Sequence, residues 1–535
     1  MSNSIEQQVN SRRTFAIISH PDAGKTTLTE KLLLYGSAIE LAGSVTARKK
    51  QRETSSDWME LEKKRGISIS STVLQFEYMG YKFNLLDTPG HKDFSEDTYR
   101  VLMAVDSVIM VIDGGKGIES QTLKLFEICK KRGIPIFTFI NKMDRPALPP
   151  LELIDQIEDV LNMNAYPVCW PLESGPFFKG VFDRLEGKAH LFEKVPAGAS
   201  RAPVSVHDIS DPKVKSVLGE TVYDGIAEEL ELLDGAHAGF NLQDVHDGKT
   251  TPVFFGSAVS NFGVELLLKG FLEFSTRPLP RSVGEKIIPL EGPTFSAFVF
   301  KIQTNMNPQH RDRMVFARIC SGRFYRDMTV FNTRYGREVR IAYSHSLFGQ
   351  GREIANEAYA GDIIGFITNA DFQIGDTISS DPDLTFNEIP RFAPECFAYI
   401  QNKSISSYKS FRKGLDHLLA EDIVQSFVLE DHGSNLPLLG AVGPLQFEVL
   451  QYRLRDEYGV ETSLEMKQWN VLRWLDESSD HKAGELELPY DCAHGRDDRG
   501  RPVLLFTSEW SMEYFIKNNQ GVIVHDSPRE LEVAK

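Results

Sequence analysis

The feature that most constrains the fold is the stretch 19–26, Ser-His-Pro-Asp-Ala-Gly-Lys-Thr, which lies between an apolar run and a helical pattern. The apolar run, 15–18, is typical of a buried strand, and Leu28, Leu32 and Leu33 recur on one side of the segment that follows. Strand, tight loop, Gly-Lys-Thr and helix together form the context of a phosphate-binding loop. In such a loop, backbone amides and a helix N-terminus converge on anionic oxygens. The stretch therefore predicts a nucleotide-phosphate site.

Two side chains of this loop have predicted chemical roles. Lys25 is expected to reach the β- and γ-phosphates, and the Thr26 hydroxyl is expected to ligate Mg²⁺. The usual pattern begins with Gly, whereas this chain has Ser19 at that position. Taken alone, the stretch also fits a strand-turn-helix in which a Thr only caps the helix. The loop residues expected to contact the nucleotide are His20, Pro21, Asp22, Ala23, Gly24, Lys25, Thr26 and Thr27.

A second polar cluster, 87–91, follows an apolar strand predicted over 81–86. A carboxylate at the end of that strand, Asp87, is expected to hold Mg²⁺ through water. The Gly90 amide can contact a γ-phosphate with no Cβ in the way, and His91 can orient an attacking water. A histidine after Pro-Gly also fits a surface turn, but its context favours the catalytic role. The turn residues expected to contact the nucleotide are Asp87, Thr88, Pro89 and Gly90.

The stretch 65–70, Arg-Gly-Ile-Ser-Ile-Ser, lies between the phosphate loop and the strand at 81–86. A hydroxyl in a mobile segment here can close on Mg²⁺ when a γ-phosphate is present, and Ser68 is the candidate ligand. The same stretch also fits a plain turn before a strand.

A base-recognition pattern follows the strand predicted over 134–140, which ends in Asn-Lys-Met-Asp. The Asp144 carboxylate can accept hydrogen bonds from N1 and N2 of guanine, a donor pattern that adenine does not offer. Asn141 can tie this loop to the phosphate loop, and Lys142 can lie along the base. These residues predict guanine specificity.

A later strand, 253–255, ends in small residues that include Ser257 and Ala258, where a backbone amide can approach guanine O6. The five pieces occur in the order found in GTPases, each after a strand and before a helix or turn. A doubly wound α/β sheet binds its ligands at the carboxyl ends of its strands, where these pieces lie. The sequence therefore predicts an α/β P-loop GTPase domain that uses GTP or GDP and Mg²⁺.

The domain organisation is predicted from changes in pattern along the chain. We expect a GTP-binding domain over 1–280, with an inserted subdomain at about 165–250 because Asp144 and Ser257 are too far apart for one βα crossover. Short strands punctuated by Gly, Asp and Asn predict an antiparallel β-barrel over 281–385. These strands are expected at 295–302, 314–319, 328–331, 339–343 and 362–367.

The C-terminal part, 386–535, shows a different pattern. An amphipathic helix carrying Phe411 and Leu415 is followed by strand-like runs at 423–429 and 436–442. A helix at 444–458 and a strand at 460–464 complete a helix-strand-strand-helix-strand order. This order predicts a ferredoxin-like α/β domain, and the tail from 477 does not have the pattern of short strands.

Composition limits the classes of partner. The net charge of −16 excludes indiscriminate nucleic-acid binding through bulk charge. Local basic patches at 311–313, 334–340 and 403–413 can still dock an RNA–protein partner, although each also fits an ordinary solvated face. The 5 cysteines form no Cys-x-x-Cys pair, so no zinc or disulfide framework is expected. With no signal peptide and no bilayer-length apolar run, we expect a cytoplasmic monomer with no membrane contact.

A family resemblance rests on the motifs above and on four longer stretches. The Asp-Thr-Pro-Gly-His and Asn-Lys-Met-Asp forms, with His20, resemble those of translational GTPases. The stretches that resemble bacterial class II peptide chain release factors are 19–27, 56–60, 93–100 and 310–313. The resemblance covers about 12–473, including 440–447, and is looser in the insertion and the tail. It implies a G domain, a β-barrel and a C-terminal α/β domain.

The resemblance also implies roles for individual residues. Ser68 would be the switch hydroxyl, at a position where many relatives have Thr, and Pro21 and Ile67 would line an apolar gate beside the catalytic water. His91 would be the residue that the ribosome positions. The phosphate, Mg²⁺ and guanine contacts would fall to Lys25, Thr26, Asn141, Lys142 and Asp144.

The function implied is a ribosome-stimulated GTPase that promotes dissociation of class I release factors after peptide release. Its partners would be the ribosome, through RNA and protein contacts, and the class I factors. A translocase of this class needs two more domains than the chain leaves room for, and a tRNA carrier needs a second barrel. An inactive scaffold has only Ser19 in its favour, and peptidyl-tRNA hydrolysis lacks a Gly-Gly-Gln motif.

Overall fold

The computed structural model describes residues 4–36, 62, 68–193, 204–236, 239–304, 313–348, 351–386, 389, 391–430, 437–476 and 486–528. The family-like stretch 56–60, the gate residue Ile67 and most of 310–313 lie outside the described residues. No helix in the described ranges is long and apolar enough to span a bilayer.

The N-terminal half alternates strands and helices, as the sequence predicts. Its helices are α1 (Ile5–Asn10), α2 (Lys25–Tyr35), α3 (Ser95–Met103), α4 (Ser120–Lys131), α5 (Pro150–Leu161), α6 (Pro212–Leu218), α7 (Glu220–Ala236), α8 (Leu242–His246) and α9 (Val264–Phe274). Its strands are β1 (Arg12–Ser19), β2 (Thr72–Tyr78), β3 (Tyr81–Asp87), β4 (Ser107–Asp113), β5 (Ile136–Asn141), β6 (Asn164–Pro167), β7 (Cys169–Leu172), β8 (Gly180–Asp183), β9 (Lys188–Phe192), β10 (Val204–Asp208) and β11 (Thr250–Phe255). A short hairpin follows, β12 (Arg281–Val283) and β13 (Lys286–Ile288).

The sheet of this half has the order β2-β3-β1-β4-β5-β11-β6. Only β2 and β3 pair antiparallel, and the remaining neighbours are parallel. Every residue of β4 and β5 is buried, because helices cover both faces of a parallel sheet. The predicted polar clusters all follow parallel strands, so they lie at one edge of this sheet.

The segment between β6 and β11 forms its own layer. It contains an antiparallel sheet of order β10-β9-β8-β7 together with α6, α7 and α8. Strand β6 pairs parallel with β11 at the edge of the main sheet. The insertion is therefore a structured unit attached to the strand that carries the last of the predicted nucleotide motifs.

The middle of the chain is a curled antiparallel sheet, which confirms the predicted β-barrel class. Its strands are β14 (Ser296–Thr304), β15 (Arg313–Ser321), β16 (Arg323–Tyr325), β17 (Thr329–Asn332), β18 (Arg337–Arg340), β19 (Tyr343–Phe348), β20 (Gly351–Ile354), β21 (Glu357–Tyr359), β22 (Ile363–Ile367) and β23 (Thr377–Ser379). The order is β18-β17-β23-β14-β15-β22-β19, with β20 on β19 and a separate β16-β21 pair. At Phe348 and Gln75, β19 pairs with β2 and joins this sheet to that of the nucleotide domain.

The C-terminal part contains a ferredoxin-like fold. Its strands are β24 (Cys396–Asn402), β25 (Gln425–Leu429), β26 (Leu438–Ala441), β27 (Thr462–Lys467), β28 (Val471–Leu475), β29 (Ala493–Asp497), β30 (Pro502–Phe506) and β31 (Val524–His525). Its helices are α10 (Tyr408–Ala420), α11 (Pro444–Tyr458) and α12 (Glu509–Asn518). The order β27-β24-β26-β25 with helices after β24 and β26 is that of a βαββαβ unit.

Two features of this part differ from the sequence interpretation. Strand β24 opens the unit, although the pattern was predicted to start with a helix. The expectation that the tail lacks short strands is wrong, because β29, β30 and β31 lie in the tail and, together with β28 just before it, extend the same sheet beyond β25. Strand β29, Ala-His-Gly-Arg-Asp, is mostly polar in sequence yet largely buried, so its composition hides it.

Buried polar contacts fix the barrel to the nucleotide domain. Asp362 accepts a hydrogen bond from Arg12 Nε at 3.2 Å and lies 3.2 Å from Lys82 Nζ. Burial disfavours the Asp362 carboxylate, but Lys82 and Arg12 outweigh it and lower its pKa. Arg318 Nη2 contacts Asp106 Oδ2 at 2.5 Å across the same interface. The two units are therefore held in a defined relation by compensated buried charges.

Candidate nucleotide site

The phosphate loop connects β1 to α2. Helix α2 begins at Lys25, and its N-cap is Gly24, in the left-handed conformation at φ 100° with no side-chain cap. The interpretation in which Thr26 caps the helix is therefore wrong, since Thr26 lies inside the first turn. The N-cap gives the first backbone N–H groups of the helix no side-chain hydrogen bond, as an anion site requires.

Only glycine fits at position 24. A Cβ there would lie 2.2 Å from Asn141 Nδ2, and a positive φ is unfavourable for other residues. The Asn141 amide cannot move away freely, because its Nδ2 donates to the Ala23 carbonyl at 2.8 Å. The end of β5, which carries the predicted guanine-recognition residues, is thus in direct contact with the phosphate loop.

Lys25, at the start of α2, meets Asp87, at the carboxyl end of β3. Lys25 Nζ donates to Asp87 Oδ1 at 2.5 Å, and the two side chains are 7% and 2% exposed. An ammonium group and a carboxylate at one point are the groups needed for phosphate and for Mg²⁺. The Thr88 hydroxyl donates to the Ile17 carbonyl at 2.7 Å, which fixes the start of the 87–91 turn on β1.

The remainder of this turn faces the phosphate loop. A Cβ on Gly90 would lie 3.6 Å from the Pro21 Cα, an ordinary contact distance. Contacts within the protein therefore do not exclude a larger residue at position 90. The predicted need for glycine concerns the contact with a γ-phosphate and stays a prediction.

His91 belongs to a second network. Its Nδ1 accepts from the Asp93 backbone N–H at 3.3 Å and lies 3.3 Å from Asp93 Oδ1. The imidazole is about one-third exposed. Asp93 in turn accepts from the Leu445 backbone N–H at 2.9 Å, at the start of α11. The predicted catalytic histidine is thus connected to the C-terminal domain through Asp93, a contact that the sequence did not indicate.

Asn141 and Lys142 hold together the loops that carry the predicted guanine-recognition residues. Asn141 Oδ1 accepts from the Ala258 N–H at 2.9 Å, so this side chain links the loops of β5, β11 and β1. Lys142 Nζ donates to the Asp22 carbonyl at 2.5 Å and to Asp113 Oδ2 at 2.7 Å. Asp113 was missed from the sequence, although it too ends a fully buried parallel strand.

Two predicted roles have a different setting in the structure. The N–H of Ser257 donates to the Phe262 carbonyl at 2.9 Å, and that of Ala258 is on Asn141. The Ser257 amide closes its own loop and the Ala258 amide binds Asn141, so the expected contact with guanine O6 stays a prediction.

The residues after Ser68 are fixed by Glu62, whose Oε1 accepts from the N–H groups of Ile69 and Ser70.

A guanine nucleotide fits the polar groups present. Oδ1 of Asp144 is buried and has no hydrogen-bond partner among the described residues. A buried acceptor without a hydrogen bond lowers the free energy of unfolding unless a ligand donates to it. The N1 and N2 hydrogens of guanine are such donors. Nδ1 of His20, in the phosphate loop, is likewise buried without a partner in the described ranges.

Comparison with family models divides the chain into three matches. Residues 10–277 match the elongation factor Tu GTP binding domain, 294–381 match elongation factor G domain 2, and 386–516 match the C-terminal domain of class II release factor RF3. A crystal structure of a Thermus thermophilus protein is similar in fold, with a TM-score of 0.69 at 22% identity, covering 91% of this chain and 72% of that one.

Similar sequences extend over nearly the whole chain. Peptide chain release factor 3 of Gloeobacter violaceus is 52% identical over 527 residues, 98% of this chain and 99% of that protein. Peptide chain release factor 3 of Rippkaea orientalis is 51% identical, over 96% of this chain and 95% of that protein. That of Symbiobacterium thermophilum is 50% identical, over 97% and 98%. The chain therefore belongs to the peptide chain release factor 3 family, the guanine-nucleotide-binding GTPases of translation termination.

Proposed function

We propose that this GTPase acts on ribosomes that have just released their peptide and uses GTP to drive off the class I release factor. The observation that carries the proposal is the contact of Asp93 with the first turn of α11. It connects the turn beside the γ-phosphate position to the C-terminal domain. A change at the nucleotide can therefore alter how the domains are held, which a factor that displaces another protein requires.

In this mechanism, the chain's own residues position the nucleotide. The amides of 20–24 and of the start of α2 hold the phosphates. Lys25 exchanges Asp87 for the β- and γ-phosphates, which frees the Asp87 carboxylate for the metal. Thr26, Ser68 and Asp87 would hold Mg²⁺, which would supply neutralisation of the charge on the phosphate oxygens.

Hydrolysis depends on positioning more than on covalent chemistry. His91 orients the attacking water once the ribosome has positioned the imidazole. Pro21 and Ile67 are the residues proposed for the apolar gate beside that water. Asn141, Lys142 and Asp144 select guanine, with the loop of Ser257 and Ala258 behind the base. Partner activation in such folds supplies on the order of 10⁵-fold in rate.

The domain division that fits this mechanism is 1–280 for the G domain, with an insertion at 165–250, 281–385 for the barrel and 386–535 for the C-terminal domain. A further contact supports the coupling between the first and last of these. Arg100 Nη2 lies 2.8 Å from Glu96 on α3 and 2.7 Å from Asp422 in the C-terminal domain. We propose a cytoplasmic monomer whose partners are ribosomal RNA, ribosomal proteins and class I factors.

The test is the departure of a labelled class I release factor from post-release ribosomes, with this protein and GTP. Accelerated departure that is lost in Lys25→Ala supports the proposal. Lys124→Ala, at an exposed position of α4, is the matched control and should retain full acceleration. No acceleration, with ribosome-stimulated hydrolysis intact, would contradict the recycling role while leaving the GTPase.

A second variant separates binding from hydrolysis. His91→Ala should bind GTP normally and lose about 10²-fold or more of its ribosome-stimulated turnover, because water is no longer oriented. The exposed neighbour variant Lys92→Ala should keep both properties. Full stimulated turnover in His91→Ala would remove the histidine from the mechanism.

A further inference from the structure

The hairpin of β8 and β9, in the segment inserted between β6 and β11, carries a cluster outside the nucleotide site. Asp183, Glu186 and His190 each offer a ligand atom, and these atoms lie within 4.8 Å of one another. None of the motifs that identify the GTPase involves these residues. In sequence they form an Asp-x-x-Glu-x-x-x-His pattern within a polar stretch.

The pairing of the hairpin explains the cluster. Val181 pairs with His190, and Asp183 pairs with Lys188. Asp183 and His190 are therefore diagonal neighbours on one face of the sheet. Glu186 lies in the connecting turn, and its N–H donates to Asp183 Oδ1 at 3.1 Å. Folding of the hairpin by itself brings the three side chains together.

The burial of the cluster points to a ligand. His190 is 9% exposed and Asp183 is 7% exposed. His190 Nε2 is buried and has no hydrogen-bond partner among the described residues. Because an unpaired buried polar atom costs free energy, such an atom needs an explanation. A metal ion held by the imidazole and the two carboxylates would account for this buried ring.

We propose that this hairpin binds a Zn²⁺ ion through His190, Asp183 and Glu186, with water completing the coordination. A mixed imidazole and carboxylate set suits zinc, whereas Mg²⁺ and Ca²⁺ prefer oxygen ligands alone. Glu186 is exposed on the turn, so its side chain can close onto the ion without disturbing the core.

Lys188, opposite Asp183 in the hairpin, is paired with Asp208 at 2.6 Å, and helix α9 contributes two further charges near this site. Glu265 and Lys269 both act electrostatically on His190, and they form an ion pair with each other at 3.3 Å. Since the Lys269 charge is compensated by Glu265, it does not cancel the two carboxylates of the cluster.

The position of the hairpin indicates what the ion does. Arg184, beside Asp183, donates from Nη1 to the Pro167 carbonyl at 2.9 Å and contacts Asp234 at 2.6 Å. Its own N–H donates to the Val168 carbonyl at 2.9 Å. The ion would therefore fix the turn between β8 and β9, whose Arg184 holds the inserted sheet against the end of β6 at the edge of the main sheet, and its role is structural.

The experiment uses the full chain with GDP and excess Mg²⁺, so that the nucleotide site does not take up zinc. Zinc bound per chain is measured by elemental analysis after equilibrium dialysis against buffered Zn²⁺. The expected result is one ion per chain. Glu186→Gln and His190→Asn should each weaken binding at least about tenfold. His207→Asn is the matched control, because His207 lies on the neighbouring strand opposite Ala189, on the other face from His190.

Thermal unfolding provides a second measurement. At one fixed Zn²⁺ concentration, the ion should raise the unfolding midpoint of the unsubstituted chain and of His207→Asn clearly more than that of Glu186→Gln. Glu186 is exposed, so loss of folding does not confuse this variant. Equal zinc binding in the unsubstituted chain and in both ligand variants would overturn the proposal, as would the absence of a stoichiometric site in the unsubstituted chain.

Discussion

At the scale of single residues, the candidate site depends on side chains that hold one another as well as the ligand. Asn141 contacts the Ala23 carbonyl and the Ala258 N–H with its two amide atoms. Lys142 holds Asp22 and Asp113 in the same way. Asp144, by contrast, has a buried oxygen with no partner among the described residues. Within this loop, two residues hold the surrounding loops together, and the third has a buried acceptor that fits the predicted guanine contact.

This division of roles predicts a change of nucleotide preference. Asp144→Asn should weaken GTP binding by about 10- to 100-fold, because a buried pairing is lost. The same variant should bind xanthosine triphosphate better, since the C2 carbonyl of xanthine needs a donor. Equilibrium binding of both nucleotides measures the exchange. Asp155→Asn, exposed on α5, is the control, and an unchanged preference for GTP would place Asp144 outside the pocket.

At the scale of elements, the N-terminus of α11 is completed by another domain. A Cβ on its N-cap, Gly443, would lie 2.1 Å from the Asp93 carboxylate carbon. Phe94, Leu445 and Val449 pack together with Ile69 beside this contact. The carboxylate lies at the positive end of the helix dipole, where a negative charge is stabilising. The helix end and the turn after His91 therefore support each other.

The cap predicts a measurable loss of stability. Asp93→Ala should destabilise the C-terminal domain by about 1 kcal/mol, the usual contribution of an N-cap. The midpoint of its thermal unfolding should fall accordingly. Asp416→Ala removes an exposed carboxylate from α10 and should leave the midpoint almost unchanged. If the two variants behaved alike, the contact across the domains would contribute nothing.

At the scale of the whole molecule, buried charges join the domains. Arg318 of β15 and Asp106 before β4 are 4% and 8% exposed and lie 2.5 Å apart. Asp106 also accepts from the Leu279 N–H at 3.1 Å, in the linker between the domains. Removing one member of a buried pair leaves the other charge desolvated and uncompensated.

Arg318→Met should therefore cost about 3–5 kcal/mol of unfolding free energy. The double variant Asp106→Asn with Arg318→Met should recover part of this loss, because neither member of the pair is then left charged without the other. Denaturant unfolding of the G domain and barrel measures both. Arg323→Met removes a pair with Glu357 that is about half exposed, and it should cost at most about 1 kcal/mol. A similar cost for the two single variants would contradict a structural role for the buried pair.

Much of the nucleotide domain could be predicted because its signals are local. The phosphate loop, the 87–91 turn and the Asn-Lys-Met-Asp stretch each lie within a few consecutive residues. Helix α2 is found where the recurrence of Leu28, Leu32 and Leu33 predicts a helix after the phosphate loop. In the barrel, the runs predicted at 295–302, 314–319, 328–331 and 362–367 correspond to β14, β15, β17 and β22, and the αββαβ part of the C-terminal domain carried similar signals. Strands β16, β20, β21, β23 and β24 were not predicted.

Other features had no local signal. Strand β29 is polar in composition, so the extension of the C-terminal sheet was missed. The carboxylate of Asp113 was missed because nothing near it in sequence indicates that Lys142 returns to it. The proximity of His190 to Asp183 and Glu186 becomes visible only when the register of β8 and β9 is known.

By itself, the sequence determined which stretches form strands, loops and helices in the GTPase core, and so which chemistry the chain carries. The tertiary structure alone decided which of those stretches meet: Lys25 with Asp87, Asn141 with Ala23 and Ala258, and Asp93 with Leu445. The physical reason is that backbone geometry and apolar periodicity act over a few residues. Contacts between residues far apart in the chain depend on packing, which leaves no periodic trace in either partner.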